Sequence, residues 1–243
     1  MLEFFQSADV QDQISVLLQN LPADIWATLY STVLSTLFSY VIGLPLGILL
    51  VTGEKNGVRP LPAPLMAVLN FIINILRSVP FLILMIMAIP LSRLILNTSV
   101  GTEALIPPLV IAAFPFVARM VESSLREVDA GVIEAAQAMG ASPFQIVRKV
   151  LLPEALPSLL TGATTVTITI LSYGAMAGIL GGSGLGATAI NYGYYRSKIV
   201  ILYGAVILLV ILVQIIQSIG TRSSVRLDKR VRNAGKKKGS KNR

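Results

Sequence analysis

The sequence predicts an all-α membrane protein of five transmembrane helices, with its amino terminus outside and its carboxy terminus in the cytoplasm. Three observations carry that expectation. Hydrophobic residues make up 54% of the 243 positions and charged residues 13%, giving a mean hydropathy of +0.75; a soluble domain carries roughly 25% charged residues. The apolar residues gather into five runs, each close to the ~20 residues that a ~30 Å hydrocarbon core requires. Finally, the basic residues fall unequally on the segments between those runs.

Residues 1–25 form an acidic segment, with Glu3, Asp9, Asp12 and Asp24 and no Lys or Arg. A cleavable signal peptide begins with a basic region, so the first span is expected to be retained. That span, residues 26–51, is uncharged. Pro45 is a candidate kink, and Gly43 and Gly47 suit close approach of a neighbouring helix. Residues 52–64 read as a turn. Residues 65–91 are apolar apart from Asn70, Asn74 and Arg77, a stretch longer than one span needs. The second span is therefore expected to begin near Phe71, with the earlier part at the interface. The third covers residues 104–118 and ends at Arg119. The fourth covers 158–180, rich in Thr and Gly. The fifth covers 199–219.

Five spans put the termini on opposite sides. The tail, residues 221–243, holds ten Lys or Arg and one acid, Asp228. Basic juxtamembrane segments stay in the cytoplasm, so the tail is placed inside and read as too poor in apolar residues to fold alone. Fifteen basic residues then lie inside and three outside, with Arg77 and Arg119 at or within spans. The net charge of +8 thus reads as topology and attraction to anionic lipid. No aromatic residues interleave with the tail's charges, so nucleic acid is not the expected partner.

The transmembrane domain is expected over residues 26–220. Within it, the polar connection 122–157 is too long and too helix-forming for a plain link. Residues 132–139 favour helix. Gly140 ends it, and Ala141-Ser142-Pro143 reads as the cap and first turn of the next. Phe144, Ile146, Val147 and Val150 supply an apolar face. Ala135, Ala136, Ala138 and Ala141 leave a surface without long side chains, and Glu134 is the charge best placed to meet a basic partner group. Without a partner, the same segment would be an amphipathic interfacial linker.

These residues form a spaced pattern: Glu134-Ala135-Ala136, then Gly140, then Val150, then Leu152-Pro153. It resembles the EAA signature of ABC importer permeases, with Val in place of the usual Ile. VIGLPLGILL, ILRSVPFLIL, PFVARMVESSL, QIVRKVLLPEALPSLLTG, SYGAMAG and GGSGLG follow the order seen in permeases of the methionine-type importers, a resemblance covering roughly residues 26–220. The resemblance implies a type I importer bundle that forms a homodimer. It implies two cytoplasmic ATPase subunits docked on the EAA loops, using ATP and Mg, and an external binding protein delivering methionine. It places the protein in the bacterial inner membrane. A short coupling helix over residues 136–144 would sit in a cleft of the ATPase, with Glu134, Ala135, Ala136, Gly140, Ala141, Phe144 and Pro153 as coupling residues. The chain has no GxxxxGK[ST] run, so ATP chemistry is assigned to another polypeptide, and no cofactor is expected on this one.

For the path or gate, the candidates are Arg77, Ser78, Pro80, Tyr173, Met176 and Gly182. Arg77 is a costly residue within an apolar run; Tyr173 and Met176 are read as path liners or as helix packing. Arg119 and Glu122, three apart, are expected to pair on one helix face. Three alternatives are weighed. The same machine would serve for another small amino acid or a methionine derivative. A membrane enzyme would need a catalytic cluster; the chain lacks Cys and His altogether. An ion channel or ion-coupled carrier would need acids within its spans.

Overall fold

The computed structural model describes residues 8–227; Glu3 and the tail from Asp228 onward lie outside the described residues. The described chain is helical, without a strand. Its helices are α1 (Ala8–Thr52), α2 (Ala63–Ser78), α3 (Phe81–Leu96), α4 (Ile106–Arg126), α5 (Ala130–Ala138), α6 (Pro143–Met176), α7 (Leu185–Thr188) and α8 (Ile199–Leu227). Short 3-10 turns at Glu103–Leu105 and Ala177–Leu180 lead into α4 and follow α6. Among the described residues, four helices are long and apolar enough to cross a membrane; the bent pair α2 and α3 would make a fifth span.

Several boundaries differ from those the sequence predicts, and each difference has a local cause. Helix α1 begins within the acidic segment and runs 45 residues, about 68 Å at 1.5 Å per residue. Residues 8–25 are therefore a helical extension of the first span, and α1 continues through Pro45 without interruption. The second apolar run is carried by two helices, α2 from Ala63 and α3 to Leu96. Its two halves meet at Val79-Pro80 and are bent by 109°. Proline lacks the N–H a helix needs and restricts the residue before it, which separates the halves beside Arg77 and Ser78. Helix α4 does not stop at Arg119 but runs to Arg126, because Arg119 finds partners within the fold. Helix α6 starts at Pro143, where the cap is expected, and runs on through the fourth apolar run to Met176; α8 extends to Leu227.

The chain divides into two compact units. Of the described residues, the first takes 8–39 together with Arg77–Ala113 and Thr167–Ile215. Its core joins Met85, Leu105 and Leu109, with Phe81, Tyr173 and Leu180 packed on them. Ser92 donates to the Ala104 carbonyl at 2.7 Å. The hydroxyls of Thr28 and Ser31 return to carbonyls four residues earlier, at 2.8 Å each, the internal satisfaction that an apolar surrounding demands.

Of the described residues, the second unit takes Tyr40–Leu76, Phe114–Val166 and 216–227. Leu50, Ile73 and Ala118 form its core, with Leu46, Met66 and Leu69 around them. Here α1 lies against α4 at glycines. A Cβ on Gly43 would come within 2.7 Å of Val117, and one on Gly47 within 2.6 Å of Val121. Real Cβ atoms do not approach so closely, so backbone contact at these positions depends on the missing side chain.

Candidate functional site

The segment between α4 and the membrane-long part of α6 folds as a small, capped unit wholly within the second compact unit. Asp129 opens α5: its carboxylate accepts from the Gly131 amide at 2.7 Å, the usual satisfaction of an orphan helix donor. Helix α5 ends at Ala138, and Gly140 adopts a left-handed φ of +78°. The Gly140 amide donates to the Gln137 carbonyl at 2.9 Å and the Ala141 amide to the Ala136 carbonyl at 3.1 Å. This is a Schellman closure, for which glycine is the favoured residue.

Ser142 then begins α6 with a reciprocal capping box. The Gln145 amide donates to Ser142 Oγ at 3.4 Å, and the Ser142 amide donates to Gln145 Oε1 at 2.8 Å. Pro143 occupies the first turn, where its missing N–H costs nothing. At Val147–Leu151 the helix widens into a π turn, with the Leu152 amide reaching the Val147 carbonyl. A proline ring clashes with the carbonyl four residues before it; the wider turn at Lys149 accommodates Pro153.

This geometry sorts the expected coupling residues. Glu134, Ala135, Gly140 and Pro153 are exposed and Ala141 is half-buried. Phe144 keeps 70% of its surface exposed, and Met139 keeps 82%. Ala136 is buried and presents nothing outward. Residues 136–144 are not one helix; the turn at 139–142 divides them. The expected apolar face also splits. Phe144 and Ile146 are two apart, so they point to opposite sides of α6; Ile146 is buried while Phe144 faces out. Met139 was not among the expected coupling residues. Its signal was present in the sequence as an apolar residue at a helix end beside a left-handed glycine.

The root of the segment is clamped by charge. Arg126, at the end of α4, pairs with Glu122 at 2.8 Å and with Glu54 from the turn after α1. Arg119 pairs with Glu122 at 2.7 Å, as its spacing predicts, and also donates to Asn70 and Asn74 of α2 at 2.8 Å each. The two asparagines explain how a guanidinium is held inside an apolar stretch. Nearby, a cavity of about 300 Å³ is lined by Glu127, Glu154, Pro157, Thr161, Ser224 and Leu227, among others. Ser224 of α8 donates to the Pro157 carbonyl at 2.9 Å.

The expected path residues lie in the first unit. Arg77, Ser78 and Pro80 sit exposed at the α2–α3 break. Tyr173 stacks on Phe81 with ring centroids 3.8 Å apart and planes at 10°, so its ring is engaged in packing. Met176 is half exposed, and Gly182 follows the positive-φ Gly181, whose carbonyl accepts from the Gly101 amide at 3.1 Å. Among the described residues there is no cluster of acids that could hold a metal ion.

A five-run helical chain with a capped, exposed turn between its third and fourth apolar runs has the organisation of a membrane permease. The family model for the inner membrane component of binding-protein-dependent transport systems matches residues 43–233, and the chain belongs to that family. It is 51% identical over 205 residues to the probable D-methionine transport system permease protein MetI of Vibrio cholerae, covering 84% of this chain and 91% of that one. It is 54% identical over 116 residues to the D-methionine transport system permease protein MetI of Escherichia coli, covering 48% and 54%. A solved structure of the MetNI methionine ABC transporter in an inward facing conformation aligns with a TM-score of 0.84 at 45% identity, covering 86% of this chain and 96% of that one. An amino acid ABC transporter at 18% identity and a TM-score of 0.70, covering 87% and 97%, shares the fold.

Proposed function

We propose that this chain is the membrane-spanning subunit of an ATP-driven importer for methionine. The relatives named as D-methionine permeases and the methionine transporter of known structure support that substrate. In this reading two copies form the translocation path, two cytoplasmic ATPase subunits supply energy, and an external binding protein delivers the amino acid. The α2–α3 pair forms one broken span, giving five in all, with the amino terminus outside and the basic tail in the cytoplasm of a bacterial cell. The positive-inside asymmetry supports that orientation.

The observation that carries the coupling role is the exposed pair Met139 and Phe144 on a turn held by three caps. An apolar surface of this kind on a rigid element is what a partner can push without the turn deforming. Nucleotide binding that closes the ATPase subunits would move both turns as handles, and the paired bundles would change access. The ligand shifts that balance only through its different affinity for the two states. Glu134 lies exposed and forms no ion pair among the described residues, leaving it available to a basic group of the ATPase.

The test is uptake of radiolabelled methionine into proteoliposomes holding this chain, the ATPase and the binding protein. ATP-dependent uptake supports the reading; uptake of another solute in place of methionine keeps the machine and discards the substrate. Glu134→Lys is expected to reduce capture of the ATPase by the permease.

A further inference from the structure

We propose that the first unit carries a binding site for the primary-ammonium headgroup of a membrane lipid, of the phosphatidylethanolamine class. A cavity of about 510 Å³ is lined by Trp26 and Tyr30 of α1, by Thr98, Val100, Gly101 and Thr102 of the link after α3, and by Glu103. Trp26 and Tyr30 are one helical turn apart. Their rings stack with centroids 6.0 Å apart and planes at 26°. Aromatic faces attract cations through the ring quadrupole, and Glu103 supplies the full negative charge beside them. Glu103 is exposed and forms no ion pair among the described residues. In a chain of net charge +8, a lining with one carboxylate, two aromatic rings, two threonines and no Lys or Arg selects for a cation.

The surroundings identify the source of that cation as lipid. Trp26 is 69% exposed and Val100 of the same lining is exposed too, as are Leu94 and Ile95 near the end of α3. Indole and phenol rings favour the level of the headgroups at a membrane interface. Apolar side chains outside the cavity suit acyl chains, while the carboxylate inside it accepts hydrogen bonds from an –NH₃⁺ group. A quaternary ammonium has no N–H to donate, so Glu103 distinguishes ethanolamine from choline headgroups. An ordinary aromatic belt would show no such preference.

Trp26 is the sole tryptophan of the chain, so the site carries its own probe. The full chain is reconstituted in phosphatidylglycerol vesicles containing one lipid brominated on its acyl chains: phosphatidylethanolamine, phosphatidylcholine or phosphatidylglycerol, at equal mole fraction. Bromine quenches indole emission only at contact range. Brominated phosphatidylethanolamine is expected to quench Trp26 about three-fold more effectively than either other lipid. In Glu103→Gln that ratio falls to one, and in Tyr30→Leu it falls part of the way, with circular dichroism reporting that both variants keep their helices. Equal quenching by all three lipids in the unaltered chain overturns the proposal, as does a ratio that survives Glu103→Gln. If phosphatidylcholine matches phosphatidylethanolamine, the assignment to a primary ammonium is wrong. If free phosphoethanolamine or free methionine relieves the quenching, the cavity serves a soluble amine and the lipid assignment is overturned.

Discussion

Replacing Phe144 by Ala separates docking from folding more cleanly than any other change in the coupling turn. An aromatic side chain offers ~200 Å², and Phe144 leaves 70% of its surface exposed, or about 140 Å². Covering that area entirely contributes at most ~3.5 kcal/mol at ~25 cal/mol per Å². With some of it left uncovered in the complex, the expected loss is about 2–3 kcal/mol, or about 30–150-fold in affinity. Because Phe144 packs little against its own chain, the stability of the permease should change by less than ~0.5 kcal/mol. The contrast is Ile146→Ala, two residues away. Ile146 is 1% exposed, so its truncation should cost about 2–4 kcal/mol of stability and lower the melting temperature. The assay is titration of the solubilised permease with fluorescently labelled ATPase subunit, beside thermal unfolding of each variant. ATPase binding at unaltered affinity by a fully folded Phe144→Ala permease would refute the reasoning.

The other expectations follow from single features. Gly140→Ala has room for its methyl group but must hold a φ of +78°; strain of about 1–2 kcal/mol should speed amide exchange at residues 138–142. Gly47→Val drives a side chain into Val121 and the Ala118 carbonyl and should cost at least ~1–3 kcal/mol, read by thermal unfolding. Arg119→Met removes the donor shared by Asn70, Asn74 and one Glu122 oxygen, while Arg126 still holds the other, and should cost about 1–3 kcal/mol, measured in the same way. The exposed pair of Lys198 and Asp9, 2.5 Å apart, gives a pH dependence. Their hydrogen bond lowers the Asp9 pKa from 3.8 and raises that of Lys198 from 10.5. The contribution is full between those ordinary values. It is lost as pH falls through the depressed Asp9 value or rises through the elevated Lys198 value. Asp9→Asn should remove both edges from a plot of melting temperature against pH.

The apolar runs and the caps of the coupling turn were legible because both depend on local chemistry. Gly140, Ser142 and Pro143 announce a turn by their own backbone preferences, and the structure forms it where the residues require. What could not be read locally was burial. Ala135 and Ala136 are chemically identical, yet one faces out and the other in, and only packing against the π turn decides which. The break at Pro80 was hidden by the continuous apolar run on both sides, since hydropathy is blind to a bend. Helix α1 reaches back into the acidic segment because Gln13 and Asp9 find partners far along the chain. The Gln13 side chain accepts from the Val200 amide at 3.0 Å, and no window of sequence reveals such a contact. The Asn70 and Asn74 clamp on Arg119 was missed for the same reason, separated from it by 49 and 45 positions.

The central claim is that α5 and the turn after it face the cytosol and are covered by the energy-supplying subunit. The chain contains no cysteine, so Gln137→Cys gives a single reactive thiol at an exposed position. With a membrane-impermeant maleimide, labelling is expected in inside-out vesicles, protection when the ATPase is added, and none in intact spheroplasts. Labelling of spheroplasts from the outside would contradict it.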